Sequence, residues 1–205
     1  MPNYFFYMFK LGVTGSIGAG KSAASQRLVE RGALVSNSDD VAKSILFSDR
    51  SILEQLLHYF GSKILDTATG KLDSKNLAAA AFQNPSHQAF LNQLLHPKVR
   101  EATRQRMLLA MNEGVKLFVV DAPLIFETGL NAELDAVLVV TAPKEIRQQR
   151  VFDRSGISPE DFIARDNLQW PEVQKVAAAD YVVVNDGTKE NLYRRIDAIF
   201  DQLPI

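Results

Sequence analysis

The chain has 205 residues, of which 46% are apolar and 23% charged, and its formal net charge is −1. That length supports one sizeable core with insertions and is too short for two full α/β domains. A near-neutral charge gives no global steering toward nucleic acid or a membrane surface, so any anion site must be local. The lack of cysteine excludes disulfides, thiolate metal sites and thiol catalysis, and fits a reducing compartment.

In chain order, the opening Met1-Pro2-Asn3-Tyr4-Phe5-Phe6-Tyr7-Met8 has the superficial look of a targeting segment. It has no basic residue, its apolar run is short, and it leads directly into the first strand, so we read it as a short prefix, with Met8 as an alternative start. No apolar run reaches membrane-span length. The expectation is a cytoplasmic protein, a monomer or weak homo-oligomer, with neither nucleic acid nor membrane as partner.

Residues 9–14 read as a strand and Ala23–Val29 as a helix, and between them Gly15-Ser16-Ile17-Gly18-Ala19-Gly20-Lys21-Ser22 fits G-x-x-x-x-G-K-[ST] at every defined position. Strand, glycine-rich turn and helix are the context in which this motif is a phosphate-binding loop. Glycines let backbone N–H groups curl around an anion, the helix N-terminus adds partial positive charge, and a lysine reaches the terminal phosphates. The nucleotide set is therefore Gly15, Ser16, Ile17, Gly18, Ala19, Gly20, Lys21, Ser22 and Ala23, with ATP as ligand and the Ser22 hydroxyl offered to Mg²⁺.

A second strand at 33–36, set beside the first, ends at Asn37-Ser38-Asp39-Asp40. There Asp39 is placed to take the proton of an attacking hydroxyl. The alternative is that Asp39 or Asp40 caps a helix starting at Val41, and both readings can hold, one residue each. The next strand lies roughly eighty residues on, beyond five helical stretches (39–46, 50–60, 74–83, 86–95 and 97–112), too long a connection for a loop. His96-Pro97 closes one helix and opens the next, with His96 a secondary site candidate, and Met107 with Met111 reads as a core stripe.

The third strand, 116–121, ends in Asp121, the arrangement that supports Mg²⁺ beside a phosphate loop. Strands at 135–140 and 180–184 follow, separated by an arginine-bearing helical insertion at 143–175. Arg147, Arg150 and Arg154 share one helix face, and Arg165 lies on the next helix. Guanidinium groups suit the spread charge of a transferring phosphoryl group, which favours Arg150 and Arg154 and leaves Arg147 open.

The fold expected is α/β, a doubly wound five-stranded parallel sheet with the ligand at the carboxyl ends of the strands. It carries a helical acceptor-binding insertion (about 41–113) and a helical lid (about 143–175) in a single P-loop kinase domain. A lid excludes water that would otherwise hydrolyse ATP. A GTPase reading lacks Asn-Lys-x-Asp for guanine, and a kinase for another small acceptor, such as a nucleoside or sugar, stays open.

Several segments together resemble the dephospho-coenzyme A kinases. They are the phosphate loop, Ser38-Asp39-Asp40-Val41-Ala42-Lys43, Leu91-Asn92-Gln93-Leu94-Leu95-His96-Pro97, Asp121-Ala122-Pro123-Leu124-Ile125-Phe126-Glu127, Arg150-Val151-Phe152-Asp153-Arg154, Gln169, and Ala179–Gly187. The resemblance runs from Phe9 to the end. It implies transfer of the ATP γ-phosphate to the ribose 3′-hydroxyl of dephospho-CoA, with Asp39 as base and the backbone near Asn185 to Gly187 against adenine. Two positions depart from the family pattern. Asn37 stands where Asp-x-Asp begins, and Ser74-Lys75 stands where an arginine commonly follows Gly-x-Leu-Asp.

Overall fold

The structure, a computed structural model, describes residues 7–205. Most of the opening stretch weighed as a targeting segment therefore lies outside the described residues. Five short aliphatic runs form the strands: β1 (Phe9–Thr14), β2 (Leu34–Asn37), β3 (Leu117–Asp121), β4 (Ala136–Thr141) and β5 (Tyr181–Val184). Each lies within one residue of its predicted span. All pairings are parallel, in the order β2-β3-β1-β4-β5.

The helices are α1 (Lys21–Glu30), α2 (Ser38–Ser48), α3 (Arg50–Phe60), α4 (Ser74–Ala81), α5 (Pro85–Asn112), α6 (Lys144–Ser155), α7 (Pro159–Asp166), α8 (Glu172–Ala177) and α9 (Lys189–Phe200). Alternate strand residues feed opposite faces. Leu11, Val13, Val119 and Leu138 pack with Leu28 of α1 and Ile196 of α9, while Phe118, Val120, Val137 and Val139 pack with Ile125 and Met107 on the other side. Covered on both faces, β3 is buried along its whole length, as interior parallel strands are.

That burial explains the first correction. The sequence reading set β2 beside β1, but β3 lies between them, pairing Asp121 with Val13 on one side and with Asn37 on the other. The fully buried β3 takes the interior place and the half-buried β2 the edge. It is β1 and β2, consecutive in sequence and joined through α1, that are separated in the sheet, while β2 and β3, joined by the long helical connection, are neighbours.

The chain divides into two compact units, one comprising residues up to Asn37 with Met107–Ile205, the other Ser38–Arg106. The first holds the sheet and the helices of 143–175. The second has its own core, in which Ile52, Leu56 and Phe60 of α3 meet Leu77 of α4 and Leu95 of α5.

Three expectations fail in this helical stretch. Pro97 does not separate two helices, because α5 runs through it. An interior proline forfeits a backbone hydrogen bond. Here Leu95 before it and Met107 and Ala110 after it are buried, so packing holds both flanks. Met107 is core but Met111 is 44% exposed, so the paired stripe is not formed. Finally, α2 begins at Ser38, which puts Asp39 and Asp40 within its first turn rather than at a cap, where the helix dipole favours them. Among the described residues no helix is long and apolar enough to cross a membrane.

Candidate active site

At the carboxyl end of β1 the chain enters the glycine-rich turn and leaves it as α1. A Cβ on Gly15 would sit 2.2 Å from the Val140 carbonyl oxygen of β4, so only glycine lets the loop pass the neighbouring strand so closely. Gly20 combines φ of 101° with a Cβ position 2.2 Å from the side-chain nitrogen of Asn185. Gly18 lies against the Arg147 backbone. Ser16 and Ala19 are buried, while Ser22 is exposed in the first turn of α1. The loop thus has its shape set from behind and its helix N-terminus forward, an anion cradle.

Lys21 donates to Asp121 Oδ1, an ion pair in which the carboxylate side chain is 2% exposed. The third strand ending in an acid and the loop lysine, read separately from the sequence, are brought into direct contact. Asp121 owes its place to the register that puts it level with Val13, one residue short of the loop's approach.

Asn185, 7% exposed, donates from Nδ2 to the Ala19 carbonyl at 2.8 Å. Arg150 donates to the Asn185 backbone oxygen at 3.0 Å and to its Oδ1 at 3.4 Å. The structure so joins two predicted residues, one from the 143–175 insertion expected to act as a lid and one from the segment expected near adenine, to the rear of the phosphate loop. Gly187 packs against Asn191 at the approach to α9. Arg154 is exposed near the end of α6.

Arg147 is settled by its contacts. It is 3% exposed and donates to Ile17 O and Ala142 O, each at 3.2 Å, and to Asp166 Oδ1 at 2.6 Å. Glu172 lies 3.4 Å away and also accepts from Thr141 Oγ1. A guanidinium so fully engaged braces the loop rather than meeting a ligand.

Sequence reasoning passed over the segment between α7 and α8. Gln169 Oε1 accepts from Ile17 N at 3.2 Å, and Glu127 Oε1 accepts from Trp170 N at 2.7 Å. The Trp170 ring stacks on Phe126 at 5.8 Å. Asp166, Asn167, Gln169, Trp170, Pro171 and Glu172 line a cavity of about 360 Å³. The signal for these residues was only the Pro-Leu-Ile-Phe-Glu run and Gln169 in the family likeness, since neither has a spacing of its own.

Asp39 and His96 belong to the helical unit. Asp39 is exposed in the first turn of α2, and burial lowers the His96 pKa within α5. Chemically, the sheet unit offers backbone donors, a lysine, a helix N-terminus and a carboxylate around one anion-sized turn, which is equipment for holding and polarising a polyphosphate.

Comparison with known proteins agrees. The sequence model described as dephospho-CoA kinase matches residues 9–191. The dephospho-CoA kinase of Chlorobium luteolum is 41% identical over 198 residues, covering 95% of this chain and 90% of that one. A crystal structure from Thermus thermophilus superposes with a TM-score of 0.80 at 32% identity, covering 97% of this chain and all of the other (100%). The dephospho-CoA kinase from Campylobacter jejuni gives 0.65 at 27% identity, covering 94% and 96%.

Proposed function

From the premise that this chain belongs to the dephospho-CoA kinase family, we propose that it transfers the γ-phosphoryl group of ATP to the ribose 3′-hydroxyl of dephospho-CoA, giving coenzyme A. The observation that carries the reading is the phosphate loop with Lys21 on Asp121, in a chain that matches the family along almost its whole length. Small, charged, water-borne substrates are the argument for a cytoplasmic place.

Phosphoryl transfer asks a protein for position and charge more than for covalent chemistry. Backbone amides within the Gly15–Ala23 segment, other than the Ile17 amide held by Gln169, take the phosphates, and Lys21 turns its ammonium to the oxygens that gain charge. Asp39 accepts the proton of the 3′-hydroxyl as the oxygen attacks phosphorus and the bond to the β-phosphate oxygen breaks, with ADP leaving. Arg150 and Arg154 offer their guanidinium groups to the transferring phosphoryl charge, and adenine lies along Asn185 to Gly187.

Ser22 and Asp121 fit Mg²⁺. One offers an exposed hydroxyl at the helix start and the other a carboxylate, both hard oxygen donors, and this ion is ordinarily held by one or two such groups with phosphate and water completing its shell. When bound, it would neutralise charge shared between the β- and γ-phosphates.

The test is ADP release from ATP and Mg²⁺ with and without dephospho-CoA, with mass spectrometry of the acceptor. The expected result is strong stimulation and a product heavier by one phosphoryl group. ATP binding with no acceptor-dependent release would overturn the acceptor assignment, and an acceptor screen over nucleosides and sugars would take its place. Asp39→Asn is expected to cut transfer by about two to four orders of magnitude, and near-normal turnover would move the base elsewhere.

A further inference from the structure

Lys175 is 0% exposed, an unusual place for an ammonium group. It donates to the Pro123 carbonyl at 2.9 Å and pairs with Glu127 Oε1 at 3.0 Å. Both partners extend toward the phosphate loop. Pro123 O also accepts from Thr14 Oγ1 at 3.2 Å, and Thr14 is the residue before Gly15. Glu127 Oε1 also accepts from Trp170 N, and the adjacent Gln169 accepts from Ile17 N inside the loop. The path Thr14, Pro123, Lys175, Glu127, Trp170, Gln169, Ile17 therefore leaves the loop at one end and re-enters it three residues later.

A buried pair of this kind contributes little net stability against a well-packed apolar pair. Its distinguishing property is direction: each oxygen it fixes belongs to a segment that touches the loop. Arg147 grips the same strap at Asp166 and Glu172 while holding Ile17 O, so both backbone groups of Ile17 are held by side chains from 143–175. We propose that Lys175 and Glu127 are positioning residues for the transfer reaction, fixing the 166–172 strap so that Gln169 and Ile17 hold the phosphate loop in register with the lid. The proposal rests on the kinase reading. Loosening the strap leaves acceptor binding alone but lowers transfer and lets water compete for the phosphoryl group.

Two variants test it. Lys175→Met with Glu127→Leu replaces the pair by apolar side chains and spares the fold an unpaired buried charge. Gln169→Leu, at a half-buried surface position, cuts the last link without touching the pair. Each should melt cooperatively, keep KM for dephospho-CoA within about twofold, and lose about tenfold to a hundredfold in kcat, the size expected for slightly misplaced reactants. The share of ADP released without acceptor should rise. Lys175→Met with Glu127→Gln, which keeps an oxygen for Trp170 N and leaves no buried charge unpaired, should recover most of kcat relative to the Met–Leu double variant. Trp170 is the single tryptophan of the chain, so its emission reads the strap directly. ATP should shift it in the unaltered protein and fail to do so in Gln169→Leu, whatever the acceptor. Normal kcat and an unaltered emission response in Gln169→Leu would overturn the proposal, and so would a rise in KM at constant kcat. Absence of acceptor-dependent turnover in the unaltered protein would count against the kinase reading instead, while the emission response would still decide the strap.

Discussion

The two compact units organise their polar groups in opposite ways. In the helical unit the side-chain bonds are mostly local: Asp66 accepts from Ala68 N and Thr69 N, and Asp73 caps α4 through Asn76 N. Around the phosphate loop they span the chain, with Thr14 bonded to a residue 109 positions away, Ile17 to one 152 away and Ala19 to one 166 away. Local bonds shape a segment whatever lies around it. Long-range bonds exist only when the whole sheet is assembled, so the loop's shape reports the tertiary fold. A phosphate cradle must be rigid before its ligand arrives, and bracing from distant segments supplies that rigidity.

Removing Lys21 should break the braced region most severely. Lys21→Ala is expected to lower kcat about a hundredfold to a thousandfold, the range for deleting a donor aimed at developing charge. It also strands Asp121, a carboxylate 2% exposed, and an uncompensated buried charge costs about 3–5 kcal/mol. Lys21→Ala with Asp121→Asn should regain much of that stability without regaining transfer. Thermal melts beside turnover separate the two losses, and a double variant as unstable as the single one would show that the pair is not what Lys21 contributes to the fold.

A smaller and sharper contrast compares one glycine from each unit. Gly20 and Gly61 both have positive φ, 101° and 74°. Alanine at Gly61 would find open space, whereas at Gly20 it would meet Asn185, which is buried and bonded to Ala19. Gly61 has ψ of −173°, a conformation that almost only glycine adopts, so Gly61→Ala should cost about 1–3 kcal/mol for its backbone alone. Gly20→Ala should cost more than that and weaken ATP binding as well, because the Asn185 brace must move. Equal melting temperatures for the two variants would remove the argument that close approach, beyond conformation, fixes the loop.

The same division explains what the sequence disclosed. The strands were legible because each is a short aliphatic run bounded by helical pattern, and the loop because its motif is contiguous. Lys21 and Asp121 were each found by local context, though nothing in their spacing of one hundred residues announced that they touch. Strand order was misread because β1 and β2 are consecutive in sequence, while burial, not order, puts the later β3 between them. Pro97 misled because a residue's local preference was outweighed by the packing of Leu95 and Met107 on either side. Glu127, Trp170 and Lys175 were invisible to spacing, since what defines them is a path of bonds that crosses the chain repeatedly. Asp39 was read from its place after β2, and the helix start at Ser38 changes its setting without changing its candidacy.

The smallest effect belongs to the locally organised unit and depends on pH. Asp49 caps α3 by accepting from Ser51 N at 3.0 Å and Ile52 N at 3.3 Å, and Lys98 of α5 donates to its other oxygen at 2.5 Å. The Lys98 ammonium first, and the Ser51 hydroxyl next, lower its pKa to about 2. A carboxyl group depressed on folding contributes stability that is fully present above its unfolded pKa of about 4 and is lost as pH falls through the folded value. Asp49→Asn keeps a capping side chain and removes only the charge. At pH 7 the variant should melt slightly lower, in keeping with the modest worth of a partly exposed pair. The gap should narrow from pH 4 toward pH 2, because there the normal protein loses the same charge. Melting both proteins across that window tests the point. A gap that stays constant with pH would mean that cap geometry, not ionisation, is what Asp49 supplies, which would make the helical unit more purely local still.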